Sequence, residues 1–155
     1  MLHVALFEPE IAGNTGSVAR TCLAVGAKLH LIRPLGFRLT DDALKRSGMD
    51  YWHELDTEIH ASFAVFKTYF AYQFEQRHVY SLTTKSIAPY SQVTFKDEDV
   101  LLFGPESRGL PESIRNKTKT CRIPMTVKAR SLNLAVSAAI VIYEASRQLG
   151  FPSLK

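Results

Sequence analysis

The sequence predicts an α/β fold, a mostly parallel sheet flanked by helices. Two observations carry this. Short apolar runs suited to strands alternate with longer segments of helical spacing. Polar or Gly/Pro-rich loops follow three of those runs, at 8–16, 104–111 and 124–131. Ligands in such sheets bind beyond the carboxyl ends of the strands, so chemistry is expected on these loops.

The elements follow in order. Residues 3–7 form a short apolar strand. Residues 14–25 suit a helix, with Asn14 as N-cap and Gly26 as stop. Val18, Cys22 and Val25 share its buried face. Residues 29–33 give a second strand, ended by Pro34 and Gly36. Thr40-Asp41-Asp42 opens a short helix that stops near Gly48. Residues 62–70 give another helix, anchored by Phe63 and Phe66. Residues 79–83 and 100–103 read as strands, the second running into Gly104-Pro105. Pro111 suits the first turn of a short helix through Asn116. Residues 121–123 are a last strand. The longest helix covers 131–149, capped by Ser131 and closed by Gly150. It is apolar almost all round from Leu132 to Tyr143, which in a chain this small points to a surface shared with a second subunit.

A length of 155 residues suits one domain with a real core, expected to span 1–155 without linker or repeat. The apolar fraction of 46% and charged fraction of 22% are those of an ordinary soluble protein. No apolar run approaches the ~20 residues needed to cross a bilayer. The start MLHVALFEPE reads as a strand and not a signal peptide, so a cytoplasmic location is expected. Cys22 and Cys121 lack metal-ligand spacing and read as buried thiols. The five histidines are scattered, so no metal is expected. The net charge of +4 is compatible with a polyanionic partner and proves nothing alone.

Several nucleotide signatures are missing. No G-x-G-x-x-G follows the first strand. Gly104 and Gly109 have a Walker-like interval, but Leu110-Pro111 replace the Lys-Ser/Thr pair. No G-x-S-x-G elbow is present. The sheet therefore has ligand loops without the common fingerprints.

The loops carry specific residues. In the first, Gly16 admits close approach and Arg20 follows one turn later on the same side. Taken alone, this is an ordinary helix start with a solvated arginine. In the second, a buried strand ends in Gly-Pro and presents Glu106, Ser107 and Arg108. The plainest account has Glu106 and Arg108 pairing. The third runs from Arg122-Ile123-Pro124-Met125 to Arg130-Ser131-Leu132-Asn133.

Seven strings occur in order: FEPEIAGNTGSVART, HLIRPLGF, SGMDYW, LTTK, LFGPESRGLP, RIPM and RSLNLAVSAAIVIYEASRQLG. Together they resemble the SPOUT class of RNA methyltransferases over nearly the whole chain. Within it the sequence looks most like the small single-domain tRNA 2′-O-methyltransferases that act on the anticodon wobble nucleotide. Ala135-Val136 depart from the Ser-Asn pair often found there and are closer to larger ribose methyltransferases of the class.

The resemblance implies a deep C-terminal trefoil knot, a rare exception to the rule against threading. It implies S-adenosylmethionine as cofactor, tRNA (the anticodon stem-loop) as substrate, and a homodimer whose active site draws on both chains. Matched residue by residue, Leu82, Gly104, Ile123 and Ser131 are the expected cofactor contacts, with Thr83, Glu106, Met125 and Leu132 around them. Arg20 matches the class's catalytic arginine. A guanidinium stays charged at neutral pH and is a poor base, so its expected role is to stabilise the developing alkoxide or hold the adjacent phosphate. Asn14 is expected to orient Arg20 or the ribose, and Glu106 to fix its loop through a backbone or arginine partner. Arg108, Lys128, Arg130 and Tyr143 are the expected RNA contacts, with Lys45, Arg46 and Lys85 as further basic groups near loops. The same fold acting on another tRNA or rRNA ribose, or binding RNA without catalysis, is the alternative.

Overall fold

The computed structural model describes residues 1–152 and 154. Six strands form one sheet in the order β3-β2-β1-β5-β4-β6, with every pairing parallel. They are β1 His3–Phe7, β2 Lys28–Ile32, β3 Thr57–His60, β4 Val79–Leu82, β5 Val100–Phe103 and β6 Lys119–Cys121. The helices are α1 Ala12–Val25, α2 Asp41–Arg46, α3 Phe63–Tyr69, α4 Ala71–Glu75, α5 Glu112–Arg115 and α6 Leu134–Gln148. No described helix is long and apolar enough to cross a membrane.

Alternation along each strand feeds two cores. Val4, Leu6, Leu29, Leu31, Leu101 and Phe103 face α1 and α6, where Val18, Cys22, Ala138 and Ile142 are buried. Ala5, Phe7, Ile32, Val100 and Leu102 face the other way, onto Phe66 and Phe70 and onto Leu110 and Ile114. β5 is buried along its whole length because helices cover both faces.

The strand order reverses between β1 and β5, which lie side by side with His3 opposite Val100 and Leu6 opposite Phe103. At such a switch point the loops leaving two neighbouring strands diverge and open a crevice. The loops after Phe7 and after Phe103 are the ones that do so here.

The structure corrects several expectations. Asn14 does not cap α1. The helix starts at Ala12, Ile11 is the capping position without a side-chain bond, and Asn14 lies inside the first turn. Ser131 does not cap α6. That role falls to Asn133, whose Oδ1 accepts from the N–H groups of Ala135 and Val136. The helix expected over 62–70 is capped by Ser62 but ends at Tyr69, and α4 follows after Phe70. β6 lies two residues earlier than expected. β3 was not foreseen, because Thr-Glu-Ile-His is a polar edge strand without an apolar run.

Candidate active site

Two clasps tie the crevice loops together. The Glu106 carboxylate accepts from the backbone N–H groups of Glu10 at 2.8 Å and Ile11 at 3.1 Å, and from Asn14 Nδ2 at 3.4 Å. These donors lie at the N-terminal end of α1, where unpaired N–H groups and the helix dipole favour an anion. In return, the Glu10 carboxylate accepts from the N–H of Ser107 at 2.8 Å and from its hydroxyl at 2.7 Å. Those two bonds hold the Glu10 carboxyl below the usual carboxylate range. Arg108 pairs with Glu8, not with Glu106. Of the two partners expected for Glu106, the backbone is the one observed.

The loop after β5 also folds tightly on itself. A Cβ on Gly104 would stand 2.4 Å from the backbone nitrogen of Leu110 and 2.5 Å from the carbonyl carbon of Gly109. Only glycine can occupy this position without moving backbone.

These clasps form one wall of a cavity of about 510 Å³. Its lining includes all eight residues expected to surround the cofactor: Leu82 and Thr83 after β4, Gly104 and Glu106 after β5, Ile123 and Met125 after β6, and Ser131 and Leu132 before α6. Asn14 and Arg108 line it as well. Among the lining residues that sequence reasoning did not assign to the site, two polar ones lie close to Ser131. Asn133 and Ser137 both stand in the string RSLNLAVS, and the N-cap preference of asparagine was the available signal for Asn133. The segment around Arg122 is tied to the loop after β4, with Arg122 N–H donating to Ala88 O and Tyr90 N–H to Arg122 O, both at 2.8 Å.

Arg20 does not line this cavity. It belongs to a second one, of about 400 Å³, with Gly16, Ser17, Thr21, Ser47, Gly48, Tyr51 and Tyr143. Within one chain Asn14 therefore lies at a different cavity from Arg20. It bonds Glu106 and, through Oδ1, Asn133 Nδ2 at 3.1 Å. Helix α1 spans both sites, with Asn14 at one and Gly16 and Arg20 at the other. Lys128 and Arg130 are exposed and line neither cavity, and Tyr143 is half-exposed. Cys22 and Cys121 are buried. Burial pushes the Cys121 thiol up to about 12 and Cys22 higher still, so neither is a thiolate at neutral pH.

Comparison with known proteins decides the family. Residues 1–143 match the SpoU rRNA Methylase family. The chain belongs to the SpoU methylase family. Among curated relatives, a tRNA (cytidine(34)-2′-O)-methyltransferase from Methylovorus glucosotrophus is 43% identical, over 97% of each chain. A solved structure bearing on 2-OH methylation of C/U34 on tRNA superposes with a TM-score of 0.88 at 47% identity, covering 97% of each chain. The SpoU methyltransferase AviRb from Streptomyces viridochromogenes, solved with the cofactor AdoMet, gives 0.80 at 26% identity. This SpoU chain covers 96% of its own length and 58% of AviRb in that match. The six parallel strands thus belong to a SpoU methylase sheet, as the SPOUT resemblance implied.

Proposed function

We propose that the protein transfers a methyl group from S-adenosylmethionine to the ribose 2′-hydroxyl of the wobble nucleotide, position 34, of tRNA. One observation carries this reading: three strand-end loops bring Leu82, Gly104, Ile123 and Ser131 to a single cavity, and α1 leads from that cavity to Arg20. The names of the curated relatives and of the C/U34 structure support the target.

The lining suits the proposed cofactor. Leu82, Phe103, Ile123 and Leu134 offer apolar surface for a purine. Thr83, Ser131, Asn133 and Ser137 offer hydroxyl and amide groups, and Lys85 and Arg115 offer positive charge for an amino-acid carboxylate. A volume of about 510 Å³ is in the range of small-molecule sites. S-Adenosylmethionine supplies an electrophilic methyl group when bound.

The protein's own residues then orient and stabilise. The clasps of Glu10 and Glu106 hold two loops rigid, which keeps a bound ligand from wandering. Orientation of two reactants is worth up to ~7–11 kcal/mol. Arg20 presents a guanidinium to stabilise the alkoxide that develops as the 2′-hydroxyl loses its proton, or to hold the adjacent phosphate. Lys128, Arg130, Arg108 and Tyr143 contact RNA by shape and by splayed bases.

The reading includes three further features. The chain acts as one domain over 1–155 in the cytoplasm. The segment from Arg122 onward threads the loops after β4 and β5 as a trefoil knot, which the Arg122 bonds to Ala88 and Tyr90 support. Two copies pair through α1 and α6, where Val136 and Tyr143 of α6 are 50% and 45% exposed and Leu132, just before that helix, is 39% exposed. Pairing would let Arg20 of one protomer serve the cofactor cavity of the other.

The test is a map of ribose methylation in tRNA and rRNA with and without the protein, joined to labelled methyl transfer by Arg20→Ala. Loss of the position-34 mark and a slow Arg20→Ala with normal cofactor affinity are expected. A mark lost elsewhere would redirect the target, and full turnover by Arg20→Ala would remove Arg20 from the chemistry.

A further inference from the structure

Tyr51 touches Arg20 and α1 at once. The Arg20 guanidinium carbon lies 5.3 Å from the centroid of the Tyr51 ring, within the reach of a cation–π contact. The Tyr51 hydroxyl donates to the carbonyl of Gly16, one turn before Arg20 on the same helix. The ring is thus fixed to the backbone from which Arg20 departs.

The fit between this segment and α1 is close. A Cβ on Gly16 would come within 2.9 Å of Met49 Cγ and 3.2 Å of the Ser47 carbonyl oxygen. Met49 is itself buried and anchored through its N–H to Leu44 O at 2.8 Å. Segment 47–51 therefore lies flat on the helix and cannot shift without losing Met49 from the core. This gives the SGMDYW string a physical purpose that its hydrophobic pattern does not disclose.

A ring face is a particular kind of support. A carboxylate partner would neutralise the guanidinium and occupy its donors. An aromatic face restricts a long, flexible side chain and leaves the charge and the N–H groups available.

We infer that Tyr51 is a positioning residue for methyl transfer, its ring holding the Arg20 guanidinium in the cavity shared with Tyr143 and its hydroxyl locking that ring to α1. This rests on the proposed role of Arg20. The cofactor cavity shares no lining residue with this one, so the effect falls on turnover and not on cofactor affinity.

The experiment compares kcat, and KM for S-adenosylmethionine, in Tyr51→Phe, Tyr51→Leu, Arg20→Ala and the Arg20→Ala/Tyr51→Leu double variant. Tyr51→Leu should lower kcat about tenfold with KM unchanged, and Tyr51→Phe, which keeps the ring, should stay within about threefold of the parent. The double variant should be no slower than Arg20→Ala, because a group acting only through Arg20 has nothing left to act on. Parental kcat in Tyr51→Leu beside a slow Arg20→Ala overturns the inference. So does Tyr51→Phe as slow as Tyr51→Leu, or a further loss in the double variant. A fast Arg20→Ala sinks the underlying reading instead. Should Tyr51→Leu lose cofactor binding by calorimetry, Tyr51→Met is judged by the same criteria.

Discussion

Asn14 and Asn133 are 119 positions apart, yet their side-chain amides meet at 3.1 Å, Asn133 Nδ2 donating to Asn14 Oδ1. Both amides are fully committed in direction. Asn133 Oδ1 caps α6, and Asn14 Nδ2 reaches Glu106. The start of α6, the first turn of α1 and the loop after β5 are joined through this one contact, around the wall of the larger cavity.

Substitutions at Asn133 separate the cap from the bridge. Asn133→Ala removes both and should cost about 0.5–2 kcal/mol of stability, the usual range for a lost N-cap. Asn133→Asp keeps an acceptor for Ala135 and Val136 but sets a carboxylate against Asn14 Oδ1. Thermal melts should place Asn133→Asp nearer the parent than Asn133→Ala. Calorimetry with S-adenosylmethionine should show both variants weakened. A fully retained affinity in Asn133→Asp would mean that the bridge does not shape the cavity.

Gly104 gives a sharper outcome. The atoms that a new Cβ would meet are backbone atoms of Gly109 and Leu110, which cannot swing aside as a side chain can. Gly104→Ala should therefore displace the loop carrying Glu106 and abolish measurable cofactor binding, while far-ultraviolet circular dichroism still reports the sheet and helices. Gly104→Ala with parental affinity would show that the loop relaxes freely.

Much of this was legible beforehand, for identifiable reasons. β1 and β5 are continuous apolar runs because both faces are covered, and the site loops follow from where those runs stop. The eight cavity residues came from matched strings, not from periodicity. What escaped depends on long-range contacts. β3 is an edge strand whose exposed Ile59 and intermediate Glu58 carry no strong pattern. Asn14 and Ser131 are good capping types in plausible places, but Glu106 already occupies the N–H groups before α1, and Asn133 stands two residues closer to α6. The Tyr51 shelf under Arg20 joins residues in different elements and has no local signature.

Acid should destabilise the fold through a buried histidine row. His30 lies between His3 and His60, with ring nitrogens 3.1 and 3.0 Å apart, and Phe66, Phe70 and Tyr69 pack edge-on against it. Lys28 stands nearby, Glu98 meets the far side of His3, and Glu58 acts on His60. Burial first, then the neighbouring His3, His60 and Lys28, push His30 down to about 2, and burial lowers His60. The unfolded chain takes up protons near pH 6.5 that the folded chain refuses, so stability is complete above that value and falls as pH drops below it. The slope is at most about 1.4 kcal/mol per pH unit for each such group. Melting temperatures from pH 7.5 to 5 should decline, and His30→Phe should flatten the decline. An unchanged slope in His30→Phe would assign the acid sensitivity to other groups.

Arg108 and the pair Lys128 and Arg130 should respond differently to charge removal. Arg108 is paired with Glu8 beside the Glu10 and Glu106 clasps, so part of its charge is already spent within the protein. Lys128 and Arg130 are exposed in the segment leading to α6. If they meet phosphates, each removed contact should reduce the slope of log affinity against log salt by about one. Lys128→Ala/Arg130→Ala should then weaken tRNA binding at low salt, with S-adenosylmethionine affinity unchanged. Arg108→Ala should change the salt slope less and lower cofactor affinity, because freeing Glu8 loosens the loop that carries Glu106. Filter binding across a salt series, paired with calorimetry, separates the two patterns. Equal salt slopes in the parent and the Lys128/Arg130 double variant would move the RNA surface elsewhere.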